Sequence, residues 1–233
     1  MTPPRGQAPG PTIPLFYVGD YCDGPLPQEG KFIAIETETD LDADQSYRIR
    51  HDSPNFRQYE LAGVAHIPPD LIGLETIGAK RQNPVSFRPV YKAALRNLVD
   101  WIETGKEPPD SRYIDGWIDG EGEFHFARDA DGHVKGGLRL PHMPTALPNG
   151  EQAGGPLGLY RGLDPDYKDH PNVYAWYGGS FEPFSVEELK ARYPSRDAYV
   201  ELVSKAAAAL LSERFILQED YDAYVQSAEL QRW

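Results

Sequence analysis

Two segments of this chain end in residues that could carry out acid–base chemistry. Residues 31–40 run from an apolar stretch into carboxylates, and residues 58–66 run from a mixed apolar stretch to a histidine. A carboxylate beside an imidazole fixes its tautomer and stabilises the imidazolium that forms when histidine takes a proton from a nucleophile. The order strand, acid, strand, histidine therefore indicates the second half of a catalytic triad.

Asp40 is the first choice for the acid, because it follows the apolar strand where the chain has left the sheet. Glu38 is the alternate, one pleat earlier on the same side. His66 is the predicted base. Spacing alone also permits another interpretation, in which residues 36–44 form a solvated acidic turn and His66 is an ordinary loop histidine.

The sequence offers no obvious nucleophile for this pair. It contains no G-x-S-x-G pentapeptide, the strand-turn-helix motif that exposes a catalytic serine. Ser180 has glycine neighbours but follows the histidine, and we predict a turn residue there. Cys22 is the single cysteine, which excludes an internal disulfide; its acidic neighbours would raise the thiol pKa, and we expect a buried free thiol.

Metal binding is a weaker interpretation. Residues 40–44 imitate the first ligands of an EF-hand, but Gln45 stands where that loop needs glycine and His51 where it needs glutamate. Residues 129–133 are better explained by a hairpin turn. We expect no metal and no cofactor, although a metal-dependent enzyme using the acidic run with His51 or His66 stays an alternative.

The elements that would position these residues are short strands and one long helix. Residues 32–35 predict a strand buried on both faces that ends near residues 36–38, and residues 57–64 predict the next strand. Residues 86–105 predict a helix with Ser86 as N-cap and Gly105 just past its end. Its apolar stripe should pack on the sheet.

The second half of the chain changes character. Residues 113–140 predict a small antiparallel excursion with turns at 119–120 and 131–132, and residues 141–169 predict a long irregular connection. Two or three helices should follow. Ser185 and Glu188 fit a capping box, Ser195 can cap the next helix, and residues 219–220 can open the last.

Composition indicates a soluble globular protein with an acidic surface. Acidic residues outnumber basic ones 36 to 23, giving a net charge of −13, which argues against nucleic acid or an anionic membrane as partner. An uncharged or cationic small molecule is easier to accommodate. No apolar run suits a membrane helix or a signal peptide, so the chain as given reads as cytoplasmic, while the compartment of any longer parent stays open.

Several blocks of sequence resemble a known family. They are I-E-T-E-T-D ending at Asp40, Y-E-L-A-G-V-A-H ending at His66, residues 91–102 with Gly105 and P-P at 108–109, and residues 136–141, 179–184, 192–194 and 215–220. In this order they resemble the C-terminal portion of the bacterial α/β-hydrolase domain family, which is largely uncharacterised. The resemblance implies an α/β fold: the last part of a hydrolase sheet with flanking helices, a β excursion and a helical C-terminus.

The resemblance also implies domain limits and a function. We expect a flexible leader at residues 1–13, the last core strands and helix at 14–110, and the rest of the same domain at 111–233. The implied activity is that of a serine-dependent ester hydrolase, with His66 as triad histidine, Asp40 or Glu38 as acid, and the nucleophile half missing. The alternative is a non-catalytic binding protein or a decayed fragment of that fold.

Expected partners follow from the same interpretation. They are a small-molecule ester and either a nucleophile-bearing chain or a second copy of this chain, pairing through an open sheet edge. Without that nucleophile segment, the chain should be inactive alone.

Overall fold

The computed structural model describes residues 30–43, 47, 50, 53–69, 80–167 and 170–233, together with the backbone of residues 16–17 and 76–77. The predicted leader at residues 1–13, Cys22 and His51 lie outside the described residues.

The described residues form short strands and mostly short helices. The strands are β1 (Phe16–Tyr17), β2 (Phe32–Thr37), β3 (Phe56–Ala62), β4 (Thr76–Ile77), β5 (Lys80–Arg81), β6 (Gly116–Ile118), β7 (Phe124–Phe126), β8 (Leu138–Arg139), β9 (Thr145–Ala146), β10 (Gln152–Ala153), β11 (Gly158–Arg161) and β12 (Ser180–Pro183). The helices are α1 (Glu38–Ala43), α2 (Arg88–Thr104), α3 (Val173–Gly178), α4 (Val186–Arg192), α5 (Arg196–Ser212) and α6 (Gln218–Leu230).

A parallel sheet in the order β1-β2-β3-β8 forms the centre of the fold. Strands β2 and β3 pair in register from Phe32 opposite Phe56 to Thr37 opposite Leu61. The strand predicted from residues 32–35 is confirmed, including its end at Thr37. Because parallel strands end at the same edge, the residues that follow β2 and β3 meet there.

Helix α2 packs against this sheet, as its stripe of apolar residues predicts. Val90, Ala94, Leu98 and Trp101 are buried in one core with Ile35 of β2. The predicted end at Gly105 is confirmed, since this residue adopts a left-handed conformation at φ 75° and closes the helix.

The start of α2 differs from the prediction. Phe87 is the N-cap and forms no side-chain cap bond, and a proline occupies the first turn. Ser86 Oγ accepts a hydrogen bond from the amide of Arg88 at 3.3 Å. The serine therefore lies one residue before the cap position that we expected for it.

The antiparallel excursion predicted over residues 113–140 is confirmed except at its end, where β8 joins the central parallel sheet. Strands β6 and β7 form a hairpin closed by a turn at Asp119, and residues 131–132 form a second turn beneath the bridge between Arg128 and Val134. Asp131 in this second turn pairs with Arg192 at 2.7 Å.

The prediction of an irregular connection over residues 141–169 is wrong in part. Strands β9 and β10 form a hairpin, and β11 pairs with β12 in a second sheet of order β11-β12-β5-β4. The partner of β11 lies about twenty residues further along the chain, so local composition did not reveal the pairing. Ser180 opens β12 and is buried, which corrects its prediction as a turn residue.

The helical C-terminus closes the main core. The predicted capping box of Ser185 with Glu188 and the predicted N-cap at Ser195 are confirmed. Phe215 and Ile216, between α5 and α6, are buried in the same core as the sheet. Among the described helices, none has the length and apolar character needed to cross a membrane.

Candidate active site

Strand β2 passes into α1 without a loop, and this junction positions the predicted acid. The amide and hydroxyl of Thr37 both donate to Asp40 Oδ2, at 2.7 and 2.9 Å. A residue before a helix and an acid three positions later form half of a capping box. The carboxylate of Asp40 is therefore fixed by the helix start and not by a mobile loop.

The other carboxylate oxygen of Asp40 contacts His66. Asp40 Oδ1 lies 2.6 Å from His66 Nδ1; Asp40 is fully buried, whereas 33% of the His66 side chain is exposed. An ionised carboxylate only accepts hydrogen bonds, so it selects the tautomer in which Nδ1 carries the proton. The other ring nitrogen, Nε2, is then the basic atom of the pair.

Three hydrogen bonds thus converge on the Asp40 carboxylate, two from Thr37 and one from His66. A buried carboxylate is costly unless charged or polar donors replace the water that it has lost. This set of donors compensates the burial and holds the acid in one orientation.

The loop that carries His66 is held on both sides. Its ring lies against Tyr177 with centroids 5.3 Å apart, and the amide of the next residue, Ile67, donates to the Tyr177 carbonyl at 2.9 Å. The amide of His66 lies 3.4 Å from Thr39 Oγ1 on α1. Helices α1 and α3 therefore fix the imidazole between them.

Glu38 has a different role in the structure. Its Oε1 accepts from the amide of Gly63 at 2.6 Å, and its Oε2 accepts from the amides of Gly162 and Leu163 at 3.1 and 3.2 Å. Burial raises the pKa of this carboxyl, against the opposing effect of Arg128 and of the three backbone donors. None of these bonds goes to His66, so Glu38 joins the ends of β3 and β11 while Asp40 contacts the imidazole.

The approach of β11 to Glu38 requires a glycine. A Cβ at Gly162 would overlap the Val64 carbonyl oxygen and lie 2.8 Å from Cβ of Glu38. Only a residue without a side chain lets this backbone reach the carboxylate.

Comparison with known families identifies the family of this chain. The sequence pattern of the family described as "alpha/beta hydrolase domain" matches residues 25–226. The chain belongs to this family. A search of curated proteins and a search of solved structures found no match.

The family confirms the fold that the sequence predicted. In this alpha/beta hydrolase domain, the residues after β2 and β3 meet at the carboxyl edge of a parallel sheet, where open α/β sheets bind their ligands. The contact between Asp40 and His66 lies at this edge.

Ser180 is engaged elsewhere in the alpha/beta hydrolase domain. Its hydroxyl donates to Asp164 Oδ2 at 2.5 Å, and the same oxygen accepts from Lys80 Nζ at 2.8 Å. Ser180 and Asp164 are both buried. This serine therefore belongs to a buried hydrogen-bonded group with Asp164 and Lys80 and not to the Asp40–His66 contact.

The residues considered for metal binding are dispersed. Asp42 follows Asp40 on α1, and Asp131 is paired with Arg192. Within the described part of the chain, no group of three or more histidine, cysteine, aspartate or glutamate residues could hold a metal ion.

Sequence reasoning missed Thr37 and the structural role of Glu38. The pattern Thr37-x-x-Asp40 was a usable signal, because a threonine followed three residues later by an acid marks the start of a helix. The bonds from Glu38 to Gly162 and Leu163 span more than 120 residues and left no local signal.

Proposed function

We propose that this chain supplies the acid and the general base of a serine-dependent ester hydrolase, with Asp40 as acid and His66 as base. The observation that carries the proposal is the 2.6 Å contact between Asp40 Oδ1 and His66 Nδ1 at the carboxyl edge of the sheet. Family membership supports a hydrolase, and the geometry favours Asp40 over Glu38 as the acid.

The proposed chemistry uses His66 twice. Nε2 takes the proton of the serine hydroxyl as that oxygen attacks the ester carbonyl, and the imidazolium then gives the proton to the departing alcohol. Water repeats the sequence on the acyl-enzyme and releases the acid. Asp40 holds the tautomer and stabilises the imidazolium throughout.

The nucleophile in this proposal comes from a segment outside the 233 residues, either on the same longer polypeptide or on a partner chain. Two observations support this assignment. The sequence has no G-x-S-x-G pentapeptide, and the hydroxyl of Ser180 is buried against Asp164. The same segment would supply the oxyanion donors.

A serine-directed fluorophosphonate probe tests the proposal. The chain is isolated in native form from its own cells, together with any polypeptide bound or joined to it, and the labelled serine is identified by peptide mapping. We expect the label on a serine of a G-x-S-x-G segment. His66→Ala should slow labelling by at least about a thousandfold.

His170→Ala is the matched control, because this histidine contacts Tyr167 and Asn172 and not Asp40. Equal labelling of the His66→Ala variant and wild type would contradict the proposal. The absence of any label, in a preparation that shows the low-field Nδ1 proton of His66 by NMR, would favour a non-catalytic binding protein.

A further inference from the structure

A cleft of about 620 Å³ opens between the β6–β7 hairpin and helices α1 and α3. Its apolar walls include Trp117, Phe126 and Trp176. We call this the hairpin cleft. Its volume is within the range of small-molecule sites.

The hairpin cleft shares its supports with the candidate active site. Asp42, at its edge, lies on α1 two residues after Asp40, and Leu163 donates its amide to Glu38. Trp176 directly precedes Tyr177, whose ring packs on His66. The hairpin cleft and the pair are thus connected through α1 and α3, with lining residues one or two positions along the chain from Tyr177 and Asp40.

The charge of the hairpin cleft is strongly negative. Four carboxylates line it, from Asp42, Asp119, Glu121 and Glu123, against the single guanidinium of Arg128. Arg128 donates to the carbonyl of Gly132 and lies over the ring of Phe126 at 5.6 Å. Its positive charge also acts on buried Glu38: burial raises the pKa of this carboxyl, and the charge of Arg128 partly offsets that rise.

Asp119 stays ionised within the hairpin cleft. A hydrogen bond from His125, with further bonds from backbone amides, lowers the pKa of Asp119 to about 2. The carboxylate oxygen lies 2.6 Å from His125 Nε2. Protonation of the cleft therefore does not remove this negative charge above strongly acidic pH.

An aromatic face complements these carboxylates. Trp117 is 57% exposed, and its ring is stacked on His125 with centroids 5.3 Å apart at 21°. The imidazole covers one face of the indole and fixes its orientation. An ammonium group is attracted to an indole face and to carboxylates alike, and quaternary ammonium ligands are recognised in this way.

We propose that the hairpin cleft binds a cationic alkylammonium group of the substrate, so that the enzyme hydrolyses esters carrying a quaternary or alkylated amine. This inference rests on the proposed function for the ester part, whereas the binding of the cation stands on the cleft itself. The proposal excludes anionic substrates, which the four carboxylates would repel.

Binding of choline tests the inference without any catalysis. Choline is compared with 3,3-dimethylbutan-1-ol, its neutral isostere, by NMR titration of the Trp117 indole signal. We expect choline to bind at least about fivefold more tightly than the neutral alcohol, and added salt to weaken choline alone.

Two variants separate the aromatic and the charged contributions. Trp117→Leu, read from backbone amides of the hairpin, should weaken choline binding about two- to fivefold, since an exposed cation–π contact has roughly this strength. Glu121→Gln/Glu123→Gln should weaken choline and leave the neutral alcohol unchanged. Glu103→Gln/Glu229→Gln is the matched control, because both residues are exposed and lie outside the hairpin cleft.

The outcomes distinguish this inference from the proposed function. Choline binding should survive His66→Ala, and probe labelling should survive Glu121→Gln/Glu123→Gln. Equal affinity for choline and its neutral isostere would overturn the inference. So would the absence of choline binding at about 20 mM, roughly the weakest specific binding, or unchanged choline binding in both cleft variants. Each of these results would leave the acid–base proposal intact.

Discussion

Replacing Glu38 should affect the stability of the fold much more than the imidazole of His66. Glu38→Ala removes the acceptor for the amides of Gly63, Gly162 and Leu163. Glu38→Gln is the finer change. Its carboxamide oxygen can keep the two donors at Oε2, but its NH₂ group then faces the amide of Gly63 and cannot accept from it.

The magnitude follows from the three donors. A buried N–H left without an acceptor costs about 1–3 kcal/mol, so three of them set a range of roughly 3–9 kcal/mol for Glu38→Ala. The variant also removes the cost of burying the carboxyl, the same burial that raises its pKa. We therefore expect a destabilisation at the lower end of this range, about 3–5 kcal/mol. For a chain of this size the loss corresponds to a fall in Tm of roughly 6–20 °C.

Thermal unfolding followed by circular dichroism measures this change, and the low-field Nδ1 proton of His66 reports whether the contact with Asp40 survives. We expect Glu38→Gln to lose about 1–3 kcal/mol, the cost of one unsatisfied donor, and to keep the His66 signal. Glu103→Ala on the exposed face of α2 is the control, within about 0.5 kcal/mol of wild type. If Glu38→Ala unfolded within 0.5 kcal/mol of wild type, roughly the surface-substitution range, the structural role assigned to Glu38 would be refuted.

Two further predictions concern the titratable groups. Asp40→Asn can keep the donors of Thr37 on its amide oxygen, but its NH₂ group then faces His66 Nδ1 and forces the wrong tautomer. The rate of fluorophosphonate labelling should therefore fall about 10⁴-fold. Asp42→Asn is the control and should leave this rate unchanged. Burial lowers the pKa of His142 to about 4. The unfolded chain therefore binds more protons than the folded one between about pH 4 and 6.5. As pH decreases through this window, the free energy of unfolding should fall by up to about 3 kcal/mol. His142→Gln should flatten that part of the stability profile measured by urea unfolding, and an unaltered slope would show that His142 does not cause it.

Elements with a local signal were predictable from sequence. Helix α2 has a buried stripe that repeats at helical spacing and a glycine at its end, and the capping serines of α4 and α5 bond within their own first turn. Strand β2 is apolar because both of its faces are covered. In each case the residues that decide the structure are neighbours in the chain.

Elements whose partners lie far along the chain were not predictable in the same way. Strand β11 follows a region rich in proline and glycine and becomes a strand through pairing with β12. Sequence also left two carboxylates open as partners of His66. The choice depends on where α1 starts, because Thr37 holds Asp40 at the first turn while Glu38 is directed to Gly63.

The bonds from Glu38 to Gly162 and Leu163 also constrain when this part of the fold can form during synthesis. These amides lie 124 and 125 residues after the carboxylate. At roughly 5–20 residues per second, a ribosome adds Leu163 about 6–25 s after Glu38. Throughout that interval a carboxylate that later is buried has only part of its native partners, so the emerging chain must keep it in water. The junction between β2 and α1 therefore gains its full set of hydrogen bonds only after the residues that follow β11 have been synthesised.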